Sequence, residues 1–91
     1  MNIKDYYKLE RLFKGFANHR RLEILFLLQK DSELSVDDIS GRLKVNFSTI
    51  SDHIRKLAQA GLVMKRSDGK FIRHALSDKG LSILSFCKML V

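Results

Sequence analysis

Nine consecutive residues, Ser48-Thr49-Ile50-Ser51-Asp52-His53-Ile54-Arg55-Lys56, carry three hydroxyls, a carboxylate, an imidazole and two cations. Hydroxyls donate and accept hydrogen bonds, and the cations attract anions, so the chemistry on offer is recognition. Bond-making chemistry has no matching arrangement: no nucleophile-base pair, glycine-rich phosphate loop or clustered carboxylate pair is present. Asp37 and Asp38 are adjacent, so on a helix their side chains diverge by about 100° and cannot share a substrate. They suit the electropositive start of a helix instead. None of His19, His53 and His74 has a second histidine or a cysteine four residues away, so the sequence predicts no metal site. Cys87, the single cysteine, lies in an apolar run and packs there as a small hydrophobe. The expectation is a binding protein, not an enzyme, with no cofactor.

The distribution of charge narrows the ligand. The chain has 91 residues with 17 Lys+Arg against 10 Asp+Glu, a net +7. Residues 1–41 are electrically balanced, whereas residues 42–79 hold nine basic side chains against three acidic, a net +6. Such asymmetry suits either a surface facing a polyanion or an ordinary solvated face, and charge alone does not separate the two. A 45% hydrophobic content excludes a disordered chain, and no apolar run is long enough to span a bilayer. Met1 to Asp5 opens no apolar leader, and one cysteine fits a reducing compartment. The expectation is one cytoplasmic domain over residues 1–91, without a membrane.

Elements to position the polar stretch follow from periodicity. Tyr6, Leu9, Leu12 or Phe13, and Phe16 recur at helical spacing. Asn18 caps a second helix whose Leu22, Ile24, Leu25, Phe26, Leu27 and Leu28 are apolar almost all round, marking it as central. Ser35 and Asp38 resemble a capping box opening a short third helix with Val36, Ile39 and Leu43 inward. Lys44-Val45-Asn46 is a tight connection, and Asn46 caps a fourth helix. Its Ile50, Ile54 and Leu57 face inward, leaving Ser48, Ser51, Asp52, Arg55 and Gln59 on the opposite side. Gly61 ends it in the left-handed conformation. Leu62 to Ser67 and Lys70 to Leu76 flank Asp68-Gly69, which predicts a hairpin with a type I′ turn. Ser77 caps a last helix to about Leu90, apolar on more than one face. The apolar excess of the first and last helices predicts a homodimer interface that includes Tyr6, Leu9, Phe13, Leu84, Cys87 and Val91.

This order is a mainly α winged helix-turn-helix: four helices, a β-hairpin wing and a fifth helix. The residues resemble the arsenic-repressor (ArsR) family of transcriptional regulators from Phe16 to Leu76. Asn18 to Leu28 is similar to its second helix, Glu33 to Ile39 to its third, and Ser48 to Leu57 to its recognition helix. Ala60-Gly61-Leu62-Val63 and Gly69 to Leu76 resemble its wing, while Leu76 to Gly80 also resembles the multiple-antibiotic-resistance regulators. The resemblance implies a repressor that binds palindromic double-stranded DNA. Ser48, Thr49, Ser51, Asp52 and His53 would then approach base edges, His53 more by a backbone contact than as a ligand. Arg42, Lys44, Arg55 and Lys56 would hold phosphates, and Lys65, Arg66, Lys70 and Arg73 would track the backbone from the wing.

One departure limits the resemblance. Metal-sensing members carry Cys-Val-Cys where this chain has Ser35-Val36-Asp37, and no histidine follows His74 for a site on the last helix. Without thiolates, soft-metal sensing is not expected. The competing expectation is a winged-helix interaction module whose basic face binds an acidic protein, and a purely structural dimer comes third. Short hydroxyl side chains favour DNA, because bulky ones would hold the helix away from the bases.

Overall fold

A computed structural model describes all residues, Met1–Val91, in the order α1 (Ile3–Phe16), α2 (His19–Lys30), α3 (Val36–Leu43), α4 (Phe47–Gln59), β1 (Val63–Asp68), β2 (Phe71–Leu76) and α5 (Asp78–Leu90). Each start has a chemical cause. Asn18 Oδ1 accepts from the amides of Arg20 and Arg21, and Asn46 Oδ1 from that of Thr49. Ser35 and Asp38 form the anticipated reciprocal box, and Ser77 Oγ accepts from the Gly80 amide. Asn2 and Asp5 build a second capping box on α1, which periodicity alone did not reveal. These side chains satisfy amides that a helix start leaves without partners.

The core gathers one stripe from each of several helices. Ile24, Leu25 and Leu28 of α2 meet Ile39 of α3, Ile50, Ile54 and Leu57 of α4, and Ile83 and Leu84 of α5. Burying one such side chain contributes about 1.5–3 kcal/mol, and α2 and α4 supply three each, so the centre is shared between these helices where the all-round apolar sequence of α2 predicts α2 alone. Leu84 corrects one expectation. It is 0% exposed within the single chain and has no surface left to offer a partner. The last helix wraps apolar residues around itself because Ile83 and Leu84 close the core from one side, leaving Leu81, Phe86, Met89 and Leu90 exposed.

β1 and β2 pair antiparallel, with Val63 opposite Leu76 and Asp68 opposite Phe71. The two-residue loop is therefore Gly69-Lys70, one position later than the Asp68-Gly69 turn predicted. Gly69 has φ +61°, and Lys70 does not share the positive φ that a type I′ turn would require. Glycine first with a positive φ is the type II′ pattern. The shift extends β1 by one residue and places Asp68 in the ladder opposite Phe71.

A third segment joins this sheet. His74 N donates to Leu34 O at 2.9 Å, Glu33 N donates to His74 O at 2.8 Å, and His74 Nδ1 lies 2.8 Å from Leu34 O. His74 is 1% exposed, so the wing is anchored to the residues that open α3. Burial lowers the His74 pKa, and the hydrogen bond to Leu34 O opposes this only in part. The neutral ring, with Nδ1–H donating, is the stable form.

A histidine whose folded pKa lies below its unfolded value contributes stability above the unfolded value, near 6.5, and loses it as the pH falls. Thermal unfolding followed by circular dichroism should therefore show a falling midpoint below about pH 6.5. His74→Gln, which keeps a side-chain donor without the titration, should make that fall shallower. His53 shifts in the same direction and should leave a residual slope.

Candidate nucleic-acid interface

α4 presents the polar stretch because its other side is held down. Ile50, Ile54 and Leu57 are at most 1% exposed, so Ser48, Asp52 and Arg55 point away from the core. Asn46 Oδ1 also accepts from Ser48 Oγ at 3.0 Å, which ties the first hydroxyl of the face to the helix cap. Lys44 takes a left-handed backbone, φ +56°, that lets the chain reverse between α3 and α4. Ser40 Oγ donates to Val45 O and closes that turn.

Ser51 and Arg55 of α4 line a cleft of about 460 Å³ together with Lys65 and Ser67 of β1 and Ile72 of β2. The structure thus brings the helix and the wing to one concave surface. Ser67 and Ile72 are additions to the residues expected from sequence. Their place emerges only once the hairpin register is known, because alternation decides which side of the wing faces α4.

Charge pairing is the larger revision. Asp52 takes Arg55 and, at 3.3 Å, Lys56, as a carboxylate placed three and four residues ahead of them would. Those hydrogen bonds, Arg55 first, hold the Asp52 carboxyl below the usual carboxylate range. Arg42 pairs with Asp31, and Arg66 pairs with Glu33 at 3.1 Å. Arg73 lies between Asp68 at 3.2 Å and Asp38 at 3.6 Å, over the Phe71 ring. Its side chain is only 28% exposed, so it links the wing to the start of α3 more than it reaches outward. Lys44, Lys65 and Lys70 have no carboxylate partner. Exposed pairs of this kind are worth about 0–1 kcal/mol, so phosphates can compete for the same cations.

Asp38 is held below the ordinary carboxylate range by the backbone amide of Ser35, then by the Ser35 hydroxyl. In that capping geometry Ser35 Oγ accepts from the Asp38 amide, and Asp37 beside it is exposed. His53 is half-buried, with an Nδ1 that has no partner, and burial followed by the charge of Arg21 lowers its pKa.

A buried-stripe helix behind a tight turn, with a paired hairpin beside it, defines a winged helix-turn-helix DNA-binding domain of the transcription-regulator class. The family model of the bacterial regulatory proteins of the arsR family matches residues 18–65. The chain belongs to that family. It is 40% identical over 75 residues to the transcriptional activator HlyU of Vibrio cholerae, covering 82% of this chain and 68% of HlyU. It is 37% identical over 67 residues to the arsenical resistance operon repressor of Escherichia coli, covering 74% of this chain and 57% of that repressor. The matched segment thus spans little more than half of the repressor's length. The solved structure of HlyU from Vibrio cholerae superposes with a TM-score of 0.84 at 33% identity, covering 98% of this chain and 97% of that one. No helix is long and apolar enough to cross a membrane.

Asp52→Asn removes the carboxylate that holds Arg55 and Lys56 and lowers repulsion toward phosphate. Affinity for unrelated duplex DNA, measured by fluorescence anisotropy, should rise about three- to tenfold, equivalent to at most one decade in Kd. An unchanged or weaker affinity would show that Asp52 does not restrain the two cations.

Proposed function

We propose that the chain is a homodimeric, sequence-specific repressor that binds a palindromic operator and does not sense soft metals through thiolates. The observation that carries this reading is the outer face of α4, where Ser48, Ser51, Asp52 and Arg55 stand clear of the core beside a wing with free lysines. Ser48, Thr49, Ser51, Asp52 and His53 would read base edges in the major groove, their short side chains letting the helix approach closely. Lys44, Lys65 and Lys70 would take phosphates directly. Arg42, Arg55, Lys56 and Arg66 would do so by exchanging a carboxylate partner for a phosphate, with Arg73 bracing the wing from behind.

Dimerisation follows from surface that the core leaves uncovered. Tyr6, Leu9 and Phe13 form an exposed apolar stripe on α1, and Phe86, Leu90 and Val91 are exposed on and just beyond α5. Cys87 is half-buried against the core and would sit at the margin of that interface. Two-fold pairing would set the two α4 helices into successive major grooves, with half-sites about 10–10.5 base pairs or roughly 34 Å apart. Repression is preferred because repressors are common among the chain's relatives. The named relatives include both an activator and a repressor.

Three measurements test the reading. Duplex affinity should fall with salt, log K dropping by about 0.9 per phosphate neutralised, and Lys65→Ala should flatten that slope by about one unit per wing engaged. A slope near zero, with salt-sensitive binding to an acidic protein instead, would favour the interaction-module alternative. Phe13→Glu should yield a folded monomer in sedimentation, with operator affinity reduced because the half-sites are no longer linked. Leu84→Glu, by contrast, should unfold the chain, because it buries an unpaired charge in the core. Calorimetry with zinc or cadmium should show no stoichiometric submicromolar site; finding one that Asp37→Ala abolishes would overturn the metal-independent reading.

A further inference from the structure

A second cleft, of about 530 Å³, lies where α1 crosses the end of α4. Six cationic side chains converge on it: Lys8, Arg11 and Lys14 from α1, Arg21 from α2, Lys56 from α4 and Lys79 from α5. No acidic side chain lines it. Glu10 reaches Lys14 at 3.6 Å and Asp52 reaches Lys56 at 3.3 Å from outside, whereas Lys8, Arg11, Arg21 and Lys79 have no carboxylate partner. The floor is a close helix crossing. A Cβ added at Gly15 would fall 2.6 Å from Ala60 Cβ.

Arg21 is held in place rather than free to swing. Its Nη1 donates to the carbonyls of Lys14 at 3.1 Å and Gly15 at 2.9 Å, at the end of α1. Its Nε is buried and has no partner. On the adjoining turn of α4, His53 Nδ1 is buried without a partner as well. The cleft is separate from the apolar stripe, because Lys8 and Arg11 stand about 140–160° around α1 from Tyr6 and Phe13 at 3.6 residues per turn.

Four elements bring their cations together and four of the six have no carboxylate partner, an arrangement that self-repulsion opposes and a bound anion relieves. A concave site of one sign also focuses potential. The Arg11 guanidinium adds a forked donor that matches phosphate oxygens, and Arg21, whose Nη1 is already engaged, adds a fixed positive charge. The volume of the cleft is that of a small-molecule site, so a compact ligand fits it. We propose that this cleft binds a compact, multiply charged phosphate anion of the polyphosphate class. Lys56 belongs both to the cleft and to the Asp52 pair of α4, so an anion that draws Lys56 inward leaves Asp52 to Arg55 alone. That consequence for DNA rests on the function proposed above; anion binding itself does not.

The test is calorimetric titration of the full chain with sodium tripolyphosphate at a constant ionic strength near about 0.15 M. Saturable binding of one anion per chain is expected. The Arg11→Gln/Lys79→Gln double variant alters two exposed side chains and should stay folded by circular dichroism. It should bind the anion about tenfold or more weakly, one decade in Kd. Lys44→Gln/Lys65→Gln, on the wing side, should bind it as the wild type does. Absence of saturable binding, or equal losses in both double variants, would overturn the site. So would a loss of duplex affinity in the Arg11/Lys79 variant as large as its loss for tripolyphosphate, since the phosphates held there would then be those of DNA. A chain that takes tripolyphosphate but no duplex would refute the DNA reading and leave the cleft standing.

Discussion

Burial of Ile50, Ile54 and Leu57 against Ile24, Leu25 and Leu28 is the contact on which the rest of this molecule depends. Each of these side chains is nearly or wholly removed from water, and together they set both the depth and the rotation of α4. Rotating the helix by one residue, about 100°, would bring a polar side chain into the core and expel an isoleucine. That penalty is what keeps Ser48, Ser51, Asp52 and Arg55 outside. α5 closes the same core through Ile83 and Leu84, so a helix that leaves apolar surface uncovered also seals the domain.

Around this core the backbone joins elements that are distant in sequence. The bridge between Leu34 and His74 ties the opening of α3 to the wing, so recognition helix and hairpin are braced through a common segment. Arg73 reinforces the junction by lying between Asp38, which caps α3, and Asp68 of β1. A wing held at its base but formed of exposed residues toward its tip combines a defined angle with side chains that remain free to adapt. The buried imidazole is neutral there because desolvation disfavours its charged form.

Charge follows a different logic from packing. Several cations on the basic half are engaged by carboxylates, three of which, Asp31, Glu33 and Asp38, come from the electrically balanced half. These pairs are exposed, so they orient guanidiniums without locking them, and a phosphate of equal charge can replace the carboxylate. Net charge therefore describes long-range attraction, whereas the pairs decide which cations must exchange partners on contact. The cleft beneath α1 differs, since four of its cations have no partner to exchange.

Periodicity and capping chemistry carried most of the secondary structure in the sequence itself. Asn18, Ser35, Asn46 and Ser77 mark helix starts because their side chains accept from nearby amides, an interaction spanning two or three residues. The inward stripe of α4 and the left-handed Gly61, φ +77°, were legible for the same local reason. Long-range geometry was not. Leu84 on the core side, Arg73 between two carboxylates, and His74 beneath Leu34 each depend on partners brought in by folding. The turn at Gly69-Lys70 lay between these cases, because Asp-Gly and Gly-Lys are both competent and pairing of Asp68 with Phe71 selected the register. Sequence alone determined which elements form and which helix face is polar, since those depend on neighbours within a turn. Only the tertiary structure decided which apolar face closes the core and which cations stay free, because burial and ion pairing are set by distances across the fold.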